Sequence, residues 1–139
     1  MNNNNTTTMT LQERLKKYKD ETFTFYFTPR HEYLLVPNEL VKDLGLQKTI
    51  TCFSYEKIIN RKKWLYLEGH HDAAQFDEAY KVYYGKYPNT KTEDIENKTW
   101  YKMYNGLDPM LSAMFGNEWA KNNLERLKKL SNTHLVEQN

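Results

Sequence analysis

A change of hydrophobic period near residue 20 is the feature that most constrains the fold of this chain. Residues 22–27 alternate between polar and aromatic side chains, which places Phe23, Phe25 and Phe27 on one face of a β-strand. A proline-containing turn follows, and residues 32–36 read as the returning strand of a hairpin. The pattern therefore predicts an antiparallel sheet rather than a helical bundle.

The order strand–strand–helix is predicted twice, first over residues 22–44 and again over residues 48–84, and a further short helix precedes both. Strands are predicted over residues 48–55 and 62–68, joined by the basic connection Asn60-Arg61-Lys62. The predicted helices are 11–19, begun by a capping box of Thr10 and Glu13; 39–44, ended by Gly45; and 73–84, begun by a capping box of Asp72 and Gln75 and ended by Gly85.

The last third of the chain has helical signals. Thr90 and Glu93 have the spacing of another capping box, and Asp108-Pro109 is typical of a helix start. We therefore predict an α+β fold with a roughly four-stranded antiparallel sheet in ββαββα order, followed by a helical C-terminal third.

The chain is expected to form one domain. Its 139 residues match the usual size of a single domain. Residues 1–9 are polar and of low complexity, which predicts a disordered tail. Residues 10–139 are predicted to form the domain, with the sheet in 21–85 and the helical part in 90–131.

Cysteine and apolar content predict a reducing compartment and no membrane contact. Cys52 is the only cysteine, so it has no partner for an internal disulfide, and its apolar neighbours indicate a small buried side chain. Residues 1–10 lack the apolar region of a signal peptide, and no apolar stretch approaches the about 18 residues of a membrane span. A soluble protein of a reducing, intracellular compartment such as the cytoplasm is expected.

Charge argues against a dedicated binder of polyanions. The chain has 20 Lys and Arg against 18 Asp and Glu, and the two signs are evenly distributed along it. Binding to a phosphate backbone requires a basic face or stripe. The even mixture instead predicts an ordinary solvated surface.

No catalytic motif is recognisable, and we predict that the chain is not an enzyme and needs no cofactor. A nucleophile elbow and a phosphate-binding glycine loop are both missing from a sequence with only five glycines. His70, His71 and Asp72 are a weak alternative as metal ligands, but adjacent side chains diverge. The preferred interpretation is a solvated loop in which Asp72 caps the following helix.

Aromatic residues supply the candidate binding surface. The chain has eleven Tyr, six Phe and three Trp. If the phenylalanines of the first strand face the helices, the opposite face of the sheet carries other rings, with basic residues at its edge. These candidate binding residues are Tyr26, Tyr33, Tyr55, Trp64 and Tyr66, with Arg61, Lys62 and Lys63.

Two interpretations of that face remain open. Exposed rings beside basic residues are used by single-strand nucleic-acid binders to stack bases. Alternatively, the C-terminal helices cover the face and make it a second core layer, since their own apolar residues must be buried. Those residues are Trp100, Met103, Met110, Met114, Phe115 and Trp119.

The middle of the chain has the pattern His31-Glu32-Tyr33-Leu34-Leu35-Val36-Pro37, Leu40-Val41-Lys42-Asp43-Leu44-Gly45-Leu46, Ser54-Tyr55, Tyr66-Leu67-Glu68, Asp72-Ala73 and Phe76. With this pattern, roughly residues 28–80 resemble small uncharacterised proteins of phages and mobile elements. No activity is established for these relatives, so the resemblance carries over no catalytic residue. It implies a phage origin, an accessory or virion-associated role, and a location in the host-cell cytoplasm or the virion.

These observations predict a small non-enzymatic accessory protein that acts by binding another protein. Self-association into a homo-oligomer would also bury surplus aromatic surface. The alternatives are a single-stranded nucleic-acid-binding module that uses the aromatic sheet face, and a small metal-dependent hydrolase.

Overall fold

The computed structural model describes most of the chain. The described residues are 9–51, 53–96, 108–109 and 117–138, without the side chains of 108–109, 117–119 and 132–138. Predictions for the tail up to residue 8, for Cys52, and for the side chains of Trp100, Met103, Met110, Met114, Phe115 and Trp119 lie outside that description.

The described elements are pairs of strands separated by helices. In chain order they are α1 (Leu11–Lys16), β1 (Thr22–Phe27), β2 (Glu32–Pro37), α2 (Asn38–Asp43), β3 (Tyr55–Ile59), β4 (Lys62–Glu68), α3 (Asp72–Tyr84), β5 (Asn89–Asp94), β6 (Asp108–Pro109) and α4 (Asn117–Gln138). The α+β class and the ββαββα order of β1 to α3 are confirmed.

Helix α1 begins as the sequence predicts. The Thr10 hydroxyl accepts the Glu13 backbone N–H, and the Glu13 carboxylate accepts the Thr10 backbone N–H, which is a complete capping box. The helix ends at Lys16, three residues earlier than the predicted end.

The sheet is mixed, and this corrects the prediction of four antiparallel strands. Its strand order is β5-β1-β2-β4-β3-β6. The pairs β1–β2, β2–β4 and β3–β4 are antiparallel, but β5 lies parallel to β1 at the edge. The two-residue strand β6 pairs with the start of β3.

Strand β5 replaces the start of the helix that Thr90 and Glu93 predicted. Its six residues, Asn89–Asp94, include no apolar side chain that could give a helix a buried face. Alternating β-branched threonines favour an extended chain, and β1 offers an edge with which this backbone pairs. The predicted helical part 90–131 therefore begins with a strand, and within the described residues its helix is α4.

The second hairpin is shorter than predicted. Strand β3 begins only at Tyr55, because Thr49, Thr51 and Ser54 are buried and bond to nearby groups instead of continuing an extended ladder. Asn60 and Arg61 form the turn to β4, both with positive φ (52° and 66°), as a two-residue type I′ turn requires.

The helices pack on one face of the sheet, called here the inner face. Its side chains include Phe23, Leu34, Val36, Leu65 and Leu67, as the period-two pattern predicts. They form one buried cluster with residues of all four helices, among them Leu15, Leu40, Phe76 and Leu127. Burying each such side chain contributes about 1.5–3 kcal/mol before the entropy of ordering is subtracted.

Helix α4 contacts the end of α2. The Asn123 side chain donates to the Leu44 carbonyl at 2.8 Å, which satisfies a carbonyl left open where α2 ends. Gly45, with φ of 75°, permits this approach, because a Cβ there would lie 2.1 Å from the Asn123 Oδ1. None of the helices in the described residues is long and apolar enough to cross a membrane.

Candidate functional site

The aromatic residues predicted to bind a ligand do lie together on the outer face of the sheet, but two of them are buried. Tyr33 and Tyr66 are only 6% and 4% exposed, while Tyr26, Tyr55 and Trp64 are partly buried. The Tyr33 and Tyr55 ring centroids lie 5.9 Å apart, and those of Tyr26 and Tyr66 lie 6.0 Å apart. Burial raises the pKa of the Tyr66 hydroxyl. Most of this face is thus a second core cluster rather than an open stacking platform.

The predicted basic residues Arg61, Lys62 and Lys63 belong to a different feature. The β3–β4 turn places them opposite α1 and the start of α2, where they line a cleft of about 650 Å³, within the usual range for ligand sites of about 300–1,000 Å³. We call this the basic cleft. Its lining residues are Arg14, Lys17, Asn38, Glu39, Lys42, Asp43, Arg61, Lys62 and Lys63.

The basic cleft concentrates charge that the sequence spreads evenly. Six basic side chains and two carboxylates line it, an excess of four positive charges. The whole chain has a net charge of only +2, so the remainder of the molecule is slightly acidic. Of these residues only Arg61, Lys62 and Lys63 were predicted to bind a ligand, because the cleft is formed by three separate segments of the chain.

Both carboxylates of the cleft are already engaged. Asp43 accepts two bonds from the Arg14 guanidinium, at 3.0 and 3.2 Å. Glu39 accepts from Lys17 at 3.2 Å and from the Tyr18 hydroxyl at 2.5 Å. The Tyr18 bond is the main cause that lowers the pKa of Glu39. These two carboxylates hold α1 against α2.

Three other cations of the cleft are not neutralised by an acid. Lys42 and Arg61 are exposed and have no carboxylate within ion-pair distance in the described part of the chain. The Lys62 ammonium instead lies over two rings, 5.7 Å from the Tyr18 centroid and 5.0 Å from the Trp64 centroid. Lys63 forms a loose pair with Glu56 at 3.4 Å. The side chains at the mouth of the cleft are therefore available to an anionic ligand.

A smaller cavity of about 170 Å³ adjoins the cleft at Lys62. We call it the Trp64 pocket. It is lined by Tyr18, Glu21, Thr22, Phe23, Thr24, Leu35, Pro37, Lys62 and Trp64.

A third cavity of about 410 Å³ shares Lys42 and Asp43 with the cleft and extends to α4. Its charged group on α4 is Arg126, whose guanidinium already donates to Asn123 Oδ1 at 3.0 and 3.2 Å. That cavity adds no unpaired cation on α4.

The loop with His70, His71 and Asp72 has a structural arrangement that the sequence did not reveal. Asp72 is fully buried and does not form the predicted capping box with Gln75. Instead its Oδ2 accepts the Thr51 backbone N–H at 2.9 Å, the Thr51 hydroxyl at 2.7 Å and the Ser54 hydroxyl at 2.5 Å. His71 Nδ1 lies 2.9 Å from Asp72 Oδ1. Thr51, Ser54, His71 and Asp72 form what we call the Asp72 network.

The Asp72 network is not arranged like a hydrolytic triad. Ser54 is completely buried and its hydroxyl donates to the carboxylate, not to the histidine. His70 points elsewhere, with its Nε2 3.1 Å from Glu32. Among the described residues no group of three histidine, cysteine or acidic side chains is placed to hold a metal ion. The network ties the loop before β3 to the start of α3.

Comparison with protein-family models, with curated proteins and with solved structures gives no match to this chain.

Proposed function

We propose that this chain is a small non-enzymatic accessory protein that binds a partner protein, and that an acidic segment of the partner occupies the basic cleft. The observation that carries the proposal is the excess of four positive charges in one cleft of a nearly neutral chain. The resemblance to phage and mobile-element proteins supports an accessory or virion-associated role in the host-cell cytoplasm or the virion.

The cleft is suited to binding because ion pairs hold its walls in place, while two of its basic side chains have no acid partner among the described residues. The Arg14–Asp43 and Lys17–Glu39 pairs hold its walls together. Lys42 and Arg61 remain open to a ligand. A local field of one sign attracts an oppositely charged partner, accelerates its association and weakens with salt.

An acidic protein segment fits the cleft better than a nucleic acid does. Single-strand binders combine a basic groove with exposed rings that stack successive bases. Here Tyr33 and Tyr66 are buried, which removes the centre of the predicted platform. The cleft also presents Glu39 and Asp43, which oppose a continuous run of phosphates more than they oppose a short peptide with mixed side chains.

Fluorescence anisotropy with the full chain tests the proposal. We expect a labelled glutamate-rich peptide to bind, and its glutamine twin to bind much more weakly. The Arg61→Asn, Lys42→Gln double variant should weaken binding about fivefold, since each exposed charge contact contributes about 0.5 kcal/mol. Asparagine at position 61 tolerates the positive φ that Arg61 adopts.

A matched double variant controls for net charge. Lys91→Gln with Lys128→Gln also removes two exposed positive charges, but from residues outside the cleft, and should leave the affinity unchanged. Equal losses in both double variants would refute a specific site. Tighter binding of an oligothymidine of matched charge would favour the nucleic-acid alternative instead.

The partner itself is identified by affinity purification from the native host or from virions. The wild-type chain and the Lys91/Lys128 control should retain the same partner, and the Lys42/Arg61 variant should lose it. Retention by all three would show that the partner binds another surface. Sedimentation of the purified chain separately checks the prediction of self-association.

A further inference from the structure

The basic cleft and the Trp64 pocket are neighbours that share one side chain. Lys62 lines both, and its ammonium stands between the Tyr18 and Trp64 rings. A ligand carboxylate that reaches Lys62 from the cleft therefore brings its neighbouring residue to the pocket. The two cavities are close enough to be occupied by consecutive side chains of one peptide.

The Trp64 pocket has the size of a single aromatic ring and a lining that is partly apolar and partly polar. Its volume of about 170 Å³ is close to that of an apolar cavity of about 150 Å³ that holds benzene. The partly exposed Trp64 offers a ring for offset or edge-to-face contact, and Leu35 and Pro37 add apolar surface. Phe23, only 3% exposed, forms part of its lining.

The charges around the two cavities determine which side chain is favoured in each. Glu21 lines the Trp64 pocket but not the cleft, so a second acid placed in the pocket would meet a like charge. Lys42 and Arg61, which have no acid partner among the described residues, line the cleft but not the pocket. Acidic residues are thus favoured in the cleft and an uncharged ring in the pocket.

We propose that the partner segment bears acidic residues directly adjacent to an aromatic residue, with the acids in the basic cleft and the ring in the Trp64 pocket. This inference rests on the proposed function and deepens it, because it specifies the side chains that the partner presents.

Three labelled peptides of equal charge test whether the aromatic ring contributes to binding and whether it must be adjacent to the acidic residues. One is acidic only, one has a phenylalanine directly after the acids, and one has the phenylalanine separated from the acids by a glycine–serine spacer too long to reach the pocket. We expect the second to bind the wild-type chain about tenfold more tightly than the other two. Equal affinity of all three for the wild-type chain would overturn the inference and leave the proposed function standing.

Variants of the pocket locate the effect. Trp64→Leu should abolish the advantage of the second peptide while retaining affinity for the acidic one, and Trp64→Tyr should keep most of the advantage. Tyr87→Leu alters an exposed ring outside the pocket and is the matched control, expected to behave as wild type. If Trp64→Leu fails to fold by circular dichroism, the peptide comparison and Trp64→Tyr decide the question. Failure of every acidic peptide to bind the wild-type chain would refute the proposed function as well.

Discussion

The Asp72 network and the basic cleft both bring together side chains from distant segments of the chain. They differ in whether the polar and charged groups of those side chains have bonding partners. In the network Asp72 is fully buried, and its Oδ2 accepts three hydrogen bonds from Thr51 and Ser54. In the cleft Lys42 and Arg61 are exposed without an acid partner in the described residues. A buried group with its bonds made stabilises a fold, whereas an unmatched exposed charge is available to a ligand.

The largest expected effect comes from removing the centre of the network. Asp72→Ala leaves the buried donors of Thr51 and Ser54 without an acceptor and should lower the free energy of unfolding by about 3 kcal/mol. Urea denaturation followed by circular dichroism measures it. Asp94→Ala, at an exposed carboxylate of β5, should change stability by less than about 0.5 kcal/mol. A similarly small change for Asp72→Ala would mean that the loop is not held by this carboxylate.

Asp77 on α3 is a third case, a half-buried carboxylate whose Oδ1 has no hydrogen-bond partner in the described residues. Desolvation by burial raises its pKa to about 6. The folded state therefore binds this proton more tightly than the unfolded state does. The resulting stability is fully present below the unfolded pKa of about 4 and is lost as the pH rises through about 6.

Asp77→Asn should remove that loss. Allowing for solvent screening of a half-exposed group, we expect the variant to be about 1 kcal/mol more stable than wild type near pH 8, and equal to it near pH 4. Thermal or urea unfolding across that pH range measures the difference. A gain independent of pH would show that shape rather than charge is responsible.

Removing an acid from the cleft should lower stability only slightly and should increase affinity for an acidic ligand. Asp43→Asn breaks the bidentate pair with Arg14 and should cost about 0.5–1 kcal/mol of stability. It also leaves Arg14 unpaired, so a glutamate-rich peptide should bind about twofold more tightly. Weaker binding would indicate that the Arg14–Asp43 pair matters more for the shape of the cleft than for offsetting its positive charge.

The smallest effect is expected at the exposed end of the network. The His71 side chain is about half exposed, and its contact with Asp72 Oδ1 adds to a carboxylate that Thr51 and Ser54 already satisfy. His71→Ala should therefore lower stability by no more than about 0.5 kcal/mol and leave peptide affinity unchanged. A loss as large as that of Asp72→Ala would mean that the histidine is essential to the network.

The sequence predicted what depends on local pattern. The alternation around Phe23 and Leu34 assigned most residues of both faces of the sheet correctly, but Phe27, at the end of β1, is 38% exposed and does not join the core under the helices. The capping box at Thr10 is confirmed, and so is the end of α3 at Gly85, whose φ is 83°. Each of these features is decided by side chains a few residues apart.

The errors arose where distant groups compete with local preference. Thr90 and Glu93 have the spacing of a helix cap, yet the edge of β1 binds that segment as a strand. Thr51 lies in a β-like run, but its hydroxyl bonds to Asp72, twenty-one residues away. The basic cleft was only partly predictable for the same reason, since the run Arg61-Lys62-Lys63 is visible in the sequence but Arg14, Lys17 and Lys42 join it from separate segments.

The parallel pairing of β5 with β1 has a consequence for the synthesis of this chain. Residues of β1 are aromatic or β-branched and uncharged, a composition that promotes pairing between chains when a strand edge is open. Its second edge is covered only by residues 89–94, which leave the ribosome after the whole ββαββα unit. Strand β5 presents Lys91, Glu93 and Asp94 to solvent. Once β5 has paired with β1, the edge of the sheet is therefore charged and no longer prone to pair with other chains. The last of the long strands to be synthesised is therefore the one that protects the nascent protein from aggregation.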